Sequence, residues 1–315
     1  MKPVTFESDA ELRKVLRPDR DTLARLSQSA GSRLLAITLL EWTLIVVTIV
    51  LSEHVGGFLF TAIAVVFIGT RQHALLMLMH EFSHRQFSRH RVWLNDAVGD
   101  TLTAIPFGIT VHGFRRDHLQ HHANTSTAQD PNWVSELEQT RYQFPKSGLQ
   151  LASELLKHLV GMYAWHDLRR YLFDSRIATD NPSSTRWRQA AIAITVVVLT
   201  WYFNGWYVVG VYWLLPMFTV LLTLLYLRDI AEHFALPSSG VSASRSTLPG
   251  AIESWLIAPY NVGFHAEHHL FPSVPWCRLK TLHQLLTQHP SYTKKIVLTT
   301  GYLTGVLQEA RRHPS

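Results

Sequence analysis

Four long apolar runs decide what this chain can fold into. Leu34 to Leu51 is apolar except for Glu41. After Ser52–Gly57 a second run extends from Phe58 to Met79, interrupted by Arg71, Gln72 and His73. The third covers Ala190 to Phe203, Asn204-Gly205 makes a turn, and the fourth spans Trp206 to Leu227. Runs near 20 residues match a hydrocarbon core about 30 Å thick. The third falls short alone and is extended through Arg188-Gln189.

Joined by their tight turns, the runs form two hairpins. The turns 52–57 and 203–207 contain no Lys or Arg, whereas the N-terminal segment carries Arg13, Lys14, Arg17, Arg20, Arg25 and Arg33. The positive-inside rule then puts both termini and the long middle segment in the cytosol. The first 30 residues are charged and lack the apolar core of a cleavable signal. The net charge of +6 admits nucleic-acid binding or a basic cytosolic face; the apolar runs favour the second.

The expected architecture is all-α and integral to the membrane, with four spans at about 34–51, 58–79, 188–203 and 206–227 and a cytosolic helical cap. Residues 1–33 form a cytosolic N-terminal segment, 34–290 the membrane domain and 291–315 a C-terminal tail. The competing arrangement is a soluble four-helix bundle. Ala97 to Val111 and Ala251 to Val262, broken by Gly and Pro, are too short to span and read as interfacial or re-entrant.

Two charges sit inside the runs. Glu41 lies about seven residues into the first, and Arg71 nine residues before His80 on the antiparallel neighbour. Charges at such depth pair or line functional cavities, which predicts a Glu41–Arg71 contact; snorkelling to the interface is the alternative. His73 lies seven residues before His80, on the same helix face, and is a candidate cavity-lining residue.

The 18 histidines are clustered, and the single Cys277 excludes a thiolate metal cluster or an internal disulfide. His80-Glu-Phe-Ser-His84 ends the second run, and His118-Leu-Gln-His121-His122 follows. Arg228-Asp-Ile-Ala-Glu-His233 continues off the fourth run, and His265-Ala-Glu-His268-His269 comes near the end. Nine of the 18 fall in these windows. Residues at i, i+3 and i+4 share a helix face, so each window can present two or more imidazoles to one ion. Neutral imidazole suits iron, zinc and copper. Nine imidazoles exceed the needs of one metal, so the number favours two.

His-Glu-x-x-His alone is a zinc-protease pattern with Glu81 as general base. A protease needs one further ligand and leaves most of the other histidines unexplained. A metal transporter or sensor would set ligands along a path at mid-membrane, whereas these lie at helix ends on one side. The remaining nine, His54, His90, His158 and His313 among them, read as solvated or interfacial.

The three boxes His80-Glu-x-x-His84, His118-x-x-His121-His122 and His265-x-x-His268-His269, set on two hairpins, resemble the membrane fatty-acid desaturase/hydroxylase superfamily. Trp93-Leu-Asn-Asp96, Asp130-Pro-Asn and Asn261-Val-Gly-Phe-His-Ala-Glu-His-His-Leu-Phe-Pro272 are also similar. The resemblance implies a non-haem di-iron centre held by these nine histidines, with His233 as the isolated further ligand. An Asn that contacts the metal through water in acyl-desaturases is matched here by Asp229. This departure admits direct ligation, an added negative charge near the metal, or a helix-end partner for Arg228.

The implied chemistry uses O2 and two external electrons to desaturate an acyl chain of a fatty acid or lipid. Hydroxylation or ketolation of a carotenoid, sphingolipid or other lipid-like substrate is the alternative. Glu81, Glu232 and Glu267 neighbour the ligands and are expected to orient imidazole N–H groups. The chain shows no iron–sulfur cysteines, Gly-x-Gly-x-x-Gly or haem domain. A ferredoxin, rubredoxin or cytochrome b5-type donor is therefore implied. Arg85, Arg89, His90, Arg91, Arg115 and Arg116 form a basic zone that would dock an acidic donor or anionic lipid.

Overall fold

The computed structural model describes residues 9–169, 181–236 and 243–312. Helices dominate. In chain order they are α1 (Asp9–Val15), α2 (Arg20–Leu26), α3 (Gly31–Val55), α4 (Phe58–Ser83), α5 (Val92–Gly99), α6 (Val111–Asn124) and α7 (Pro131–Leu137). Then come α8 (Gly148–Leu159), α9 (Ala164–Arg169), α10 (Ser183–Tyr202) and α11 (Trp206–His233). Further on come α12 (Ala251–Leu256), α13 (His265–Leu270), α14 (Trp276–Leu286) and α15 (Pro290–Lys295), and after them a π-helical stretch, Gly301–Val306, that runs into a short helix, Leu307–Glu309. A short parallel ladder departs from the all-helical expectation: β1 (Arg245–Leu248) pairs with β2 (Val297–Thr300). The chain divides into two compact units, one of residues 1–30, 119–151 and 227–315, the other of 31–118 and 152–226.

The second unit carries most of the apolar length. Three stretches among the described residues are long and apolar enough to cross a membrane: Arg20–Val55, Phe58–Ser83 and Trp206–His233. The third apolar run forms α10, which is helical over 20 residues but not among them. Arg186, Arg188 and Gln189 in its first turns dilute its apolar content.

Helix α4 is the buried centre of this unit. Arg71 Nη1 lies 3.4 Å from Glu41 Oε1, with both side chains buried, as the depth of the two charges predicts. Gly69 lets α11 approach closely, because a Cβ there would fall 2.4 Å from Val220 Cβ. Pro216 has no N–H to donate, and α11 is π-wound on either side of it, at Gly210–Leu214 and Met217–Leu221. Gln72 Nε2 donates to the Trp213 carbonyl at 2.9 Å, tying α4 to this part of α11. Trp42 stacks on Trp213 at 5.3 Å, and their indole N–H groups donate to the Leu102 and Pro106 carbonyls. The irregular 97–111 stretch is thereby tied to two long helices.

In the first unit, Leu12, Leu16 and Leu26 pack with Phe264, Leu270, Leu279, Leu282, Leu286 and Ile296 into one apolar core. Buried Arg245 donates to the Ile230 and Ala231 carbonyls near the end of α11 and pairs with Glu309 at 3.1 Å. The segment after residue 290 is thus part of this unit, held by β2 and Glu309.

Candidate metal centre

Helix geometry sets up the first-unit cluster. His121 lies on α6, His233 ends α11, and His265 and His269 stand one turn apart on α13. Their Nε2 atoms converge. His233 Nε2 lies 3.1 Å from that of His121 and 2.8 Å from that of His265, and His269 Nε2 lies 3.0 Å from that of His265. All four ligand atoms fall within 4.8 Å of one another.

The opposite ring nitrogens meet acceptors. His121 Nδ1 donates to Asp130 Oδ2 at 2.8 Å, and His233 Nδ1 to the Ala243 carbonyl at 3.2 Å. His265 Nδ1 lies 3.4 Å from Glu232 Oε1. Thr125 donates its hydroxyl proton to the His121 carbonyl, which leaves its oxygen to accept from His269 Nδ1 at 3.1 Å. A proton on each Nδ1 leaves each Nε2 as a bare lone pair. Burial, then the neighbouring histidines, push the His265 and His269 pKa values well below 6.5. Four bare lone pairs within 4.8 Å of one another repel unless a cation sits between them. The donor set therefore fits a transition metal such as iron.

In the second unit His80, His84 and His118 form a trio. His84 Nε2 lies 2.9 Å from His118 Nε2, and the His80 ring is 4.9 and 4.5 Å from theirs, centroid to centroid. Burial and then Arg115 push the His84 pKa down to about 3, so this imidazole is neutral too. Arg115, one turn before His118, reaches the end of α4 and donates to the Ser83 and Phe82 carbonyls. Asn95 donates to the same Phe82 carbonyl, and Asp96 pairs with Arg115. This knot fixes α6 against the end of α4 and so fixes the trio. Back in the first unit, His122 Nε2 lies 3.0 Å from His268 Nε2.

The expected neighbours divide. Glu81 stands 3.6 Å from His80 Nδ1. Glu232 is shared between Arg228 Nε at 2.6 Å and His265. Glu267 instead accepts from Ser246, His283 and Tyr292, and so anchors α13 through residues that are not ligand candidates. Asp229 accepts from the Tyr142 hydroxyl at 2.8 Å and belongs to neither group of candidate metal ligands among the described residues. Arg228 pairs with Glu232, one turn further along α11. His73 is buried within α4, also outside those groups.

Of the histidines read as solvated, His54 and His90 are exposed. His158 is buried, stacked on Tyr226 at 4.2 Å. His313 lies outside the described residues.

Histidine spacing alone does not point to Asp130, Thr125 or Arg115 as residues that fix the ligands. Asp130 had a legible signal: an Asp before Pro131 is an N-cap signature, and its side chain accepts from the Asn132 and Trp133 amides. Burial acts to raise its pKa, but the hydrogen bond and charge of His121 and the Ser126 and Trp133 amides hold it below the usual value. It remains an ionised acceptor.

The family model described as fatty acid desaturase matches residues 56–296. Sphingolipid delta(4)-desaturase DES1 of Drosophila melanogaster is 25% identical over 241 residues, covering 72% of this chain and 68% of that protein. The sn-1 oleoyl-lipid 12-desaturase of Arthrospira platensis is 27% identical, covering 69% and 65%. The sn-1 acyl-lipid omega-3 desaturase (ferredoxin) of Nostoc sp. (strain 36) is 26% identical, covering 71% and 66%. The chain spans about two thirds of the length of these relatives.

Proposed function

The chain belongs to the fatty acid desaturase family and is an oxidoreductase, and from that premise we propose that it desaturates an acyl chain of a membrane lipid at two imidazole-held irons. The observation that carries this reading is the tetrad of converging Nε2 atoms, each backed by an acceptor on Nδ1. We assign one iron to His121, His233, His265 and His269. The other goes to His80, His84 and His118, completed by His122 and His268. Support for that completion is the helical spacing: His118 and His122 stand one turn apart on α6. Asp229 stays with Tyr142 and is assigned no direct bond to metal.

Bound iron would supply the O2 and one-electron chemistry that no side chain has. The chain's own groups hold that chemistry in place. Asp130, Thr125, Glu232 and the Ala243 carbonyl fix ring planes and keep the protonated nitrogens turned away from the metal. The buried ligand shell excludes bulk water from the reacting carbon.

Four spans, with both termini and the histidine boxes cytosolic, complete the reading. The span added to the three long apolar stretches is α10. Its 20 residues reach about 30 Å, its aliphatic surface at Ile194 and Val196–Val198 is exposed, and exposed Trp187 and Trp201 flank that surface. Electrons come from an acidic ferredoxin, rubredoxin or cytochrome b5-type protein. Exposed Arg85, Arg89, His90 and Arg91 supply the basic docking surface; buried Arg115 does not, because Asp96 and two backbone carbonyls occupy it.

The test is lipid profiling of cells that express the chain with a competent donor, beside a His265→Ala control. New unsaturated acyl chains that vanish in the control support the proposal. Product that persists in the control overturns the ligand assignment, and a hydroxylated product overturns the reaction class.

A further inference from the structure

Helix α8 and the turn after it are amphipathic the wrong way round for a segment surrounded by water. Leu156, Leu159, Val160, Met162 and Trp165 are all exposed, Trp165 to 71% and Met162 to 66%. Glu154 and His158 of the same segment face the protein. Glu154 is buried and takes Lys157 Nζ at 2.8 Å and the Tyr163 hydroxyl. His158 is buried on the Tyr226 ring.

The contacts of this segment fix its depth. Gly161 has φ +74°, and a Cβ there would lie 3.2 Å from the Phe218 carbonyl oxygen and 3.8 Å from Thr219 Cγ2. Phe218 stands inside the apolar part of α11, nine residues before Leu227, roughly 14 Å along the helix at 1.5 Å per residue. It is twelve residues after Trp206. The turn at Gly161 therefore packs against the middle of a membrane-crossing stretch. Water does not reach that level, and exposed apolar side chains there meet acyl chains. Pairing of Lys157 with Glu154 removes the one cation that would otherwise enter lipid unmatched. Past the tip the order is Trp165, His166, Arg169, the sequence of groups found where a chain leaves the hydrocarbon for the headgroups.

We propose that residues 156–165 form a re-entrant wedge, inserted among the acyl chains of the bilayer leaflet on the side of the histidine boxes. This rests on the membrane-spanning reading of α3, α4 and α11 and removes the segment from the cytosolic cap. It places an apolar surface in the leaflet from which a lipid substrate would be drawn. The segment packs on α11, the helix that ends in His233.

The single cysteine makes the test direct. In a Cys277→Ser background reconstituted into phosphatidylcholine bilayers, nitroxide labels are placed at Val160→Cys, at Val47→Cys on α3 and at His90→Cys in the exposed loop. Power saturation compares collisions with dissolved O2, which partitions into lipid, and with a neutral nickel chelate, which stays in water. The wedge requires the label at 160 to match the label at 47, with at least a several-fold excess of O2 over nickel collisions relative to the label at 90. A label at 160 that behaves like the label at 90 overturns it while leaving the spans intact. So do low collisions with both reagents together with spin–spin broadening, which mean a second copy covers the face. Nickel access at 47 overturns the spanning reading and the wedge with it. A Gly161→Ala chain carrying the label at 160 serves as a second variant: displacement of the turn from Phe218 is expected to raise nickel access there.

Discussion

Asp130 accepts the Nδ1 proton of His121 at 2.8 Å while capping the next helix through the Asn132 and Trp133 amides. One carboxylate thus sets both the tautomer of a ligand candidate and the path of the chain behind it. Asp130→Asn keeps the shape, but its amide can turn a donor toward the ring and loses the charge. Metal affinity should fall about 10–100-fold, as for outer partners of ligating imidazoles generally. Chelator competition measures this; an unchanged affinity would show that Asp130 serves only as a cap.

Arg115 ties α6 to the end of α4 through Asp96 and two carbonyls. Arg115→Ala strands a carboxylate that is largely buried. The expected loss is about 3 kcal/mol or more, read as earlier thermal unfolding in detergent. Asp96→Asn should cost less, because the guanidinium keeps its backbone acceptors. Equal losses would mean that the ion pair, rather than the carbonyl contacts, carries the joint.

Glu41 and Arg71 are both buried, 3.4 Å apart. Glu41→Gln leaves a buried guanidinium uncompensated and should lower folded yield sharply. The double variant Glu41→Gln/Arg71→Met should recover much of it, since neither charge then remains. Monodisperse yield by size exclusion gives the comparison. Two silent single variants would rule out a structural role for the pair.

The pH dependence follows from buried imidazoles. His84, His265 and His269 have native pKa values below the 6.5 of an exposed histidine. Below 6.5 the unfolded chain therefore binds more protons than the native one, and stability falls as pH falls. The window opens at 6.5 and, for His84, runs down to about 3. Metal-free protein should lose roughly 1 kcal/mol per histidine at pH 5.5. Melting at pH 7.5 and 5.5, before and after metal removal, checks this; metal-free protein that melts alike at both would contradict neutral buried ligands.

Much of this was legible in sequence because it depends on local spacing. The i, i+3 and i+4 histidines, the apolar lengths of α3, α4 and α11, and the Glu41–Arg71 depth match need only helix geometry. What could not be read depends on partners remote in the chain. The Thr125 hydroxyl meets His269 only after α6 and α13 pack. Glu267 sits between two histidines and yet reaches Ser246, His283 and Tyr292, because its position on the helix turns it away from the ligand rings. The apolar exposure of Leu156 and Trp165 was hidden by polar neighbours that turn inward, and the β1–β2 ladder by strands of four residues.

Metal analysis of the purified chain decides whether its imidazoles hold two irons. About two irons per chain are expected, falling to about one in His265→Ala and about one in His84→Ala, with His54→Ala unchanged. One zinc per chain, or a full iron complement in both ligand variants, would contradict it.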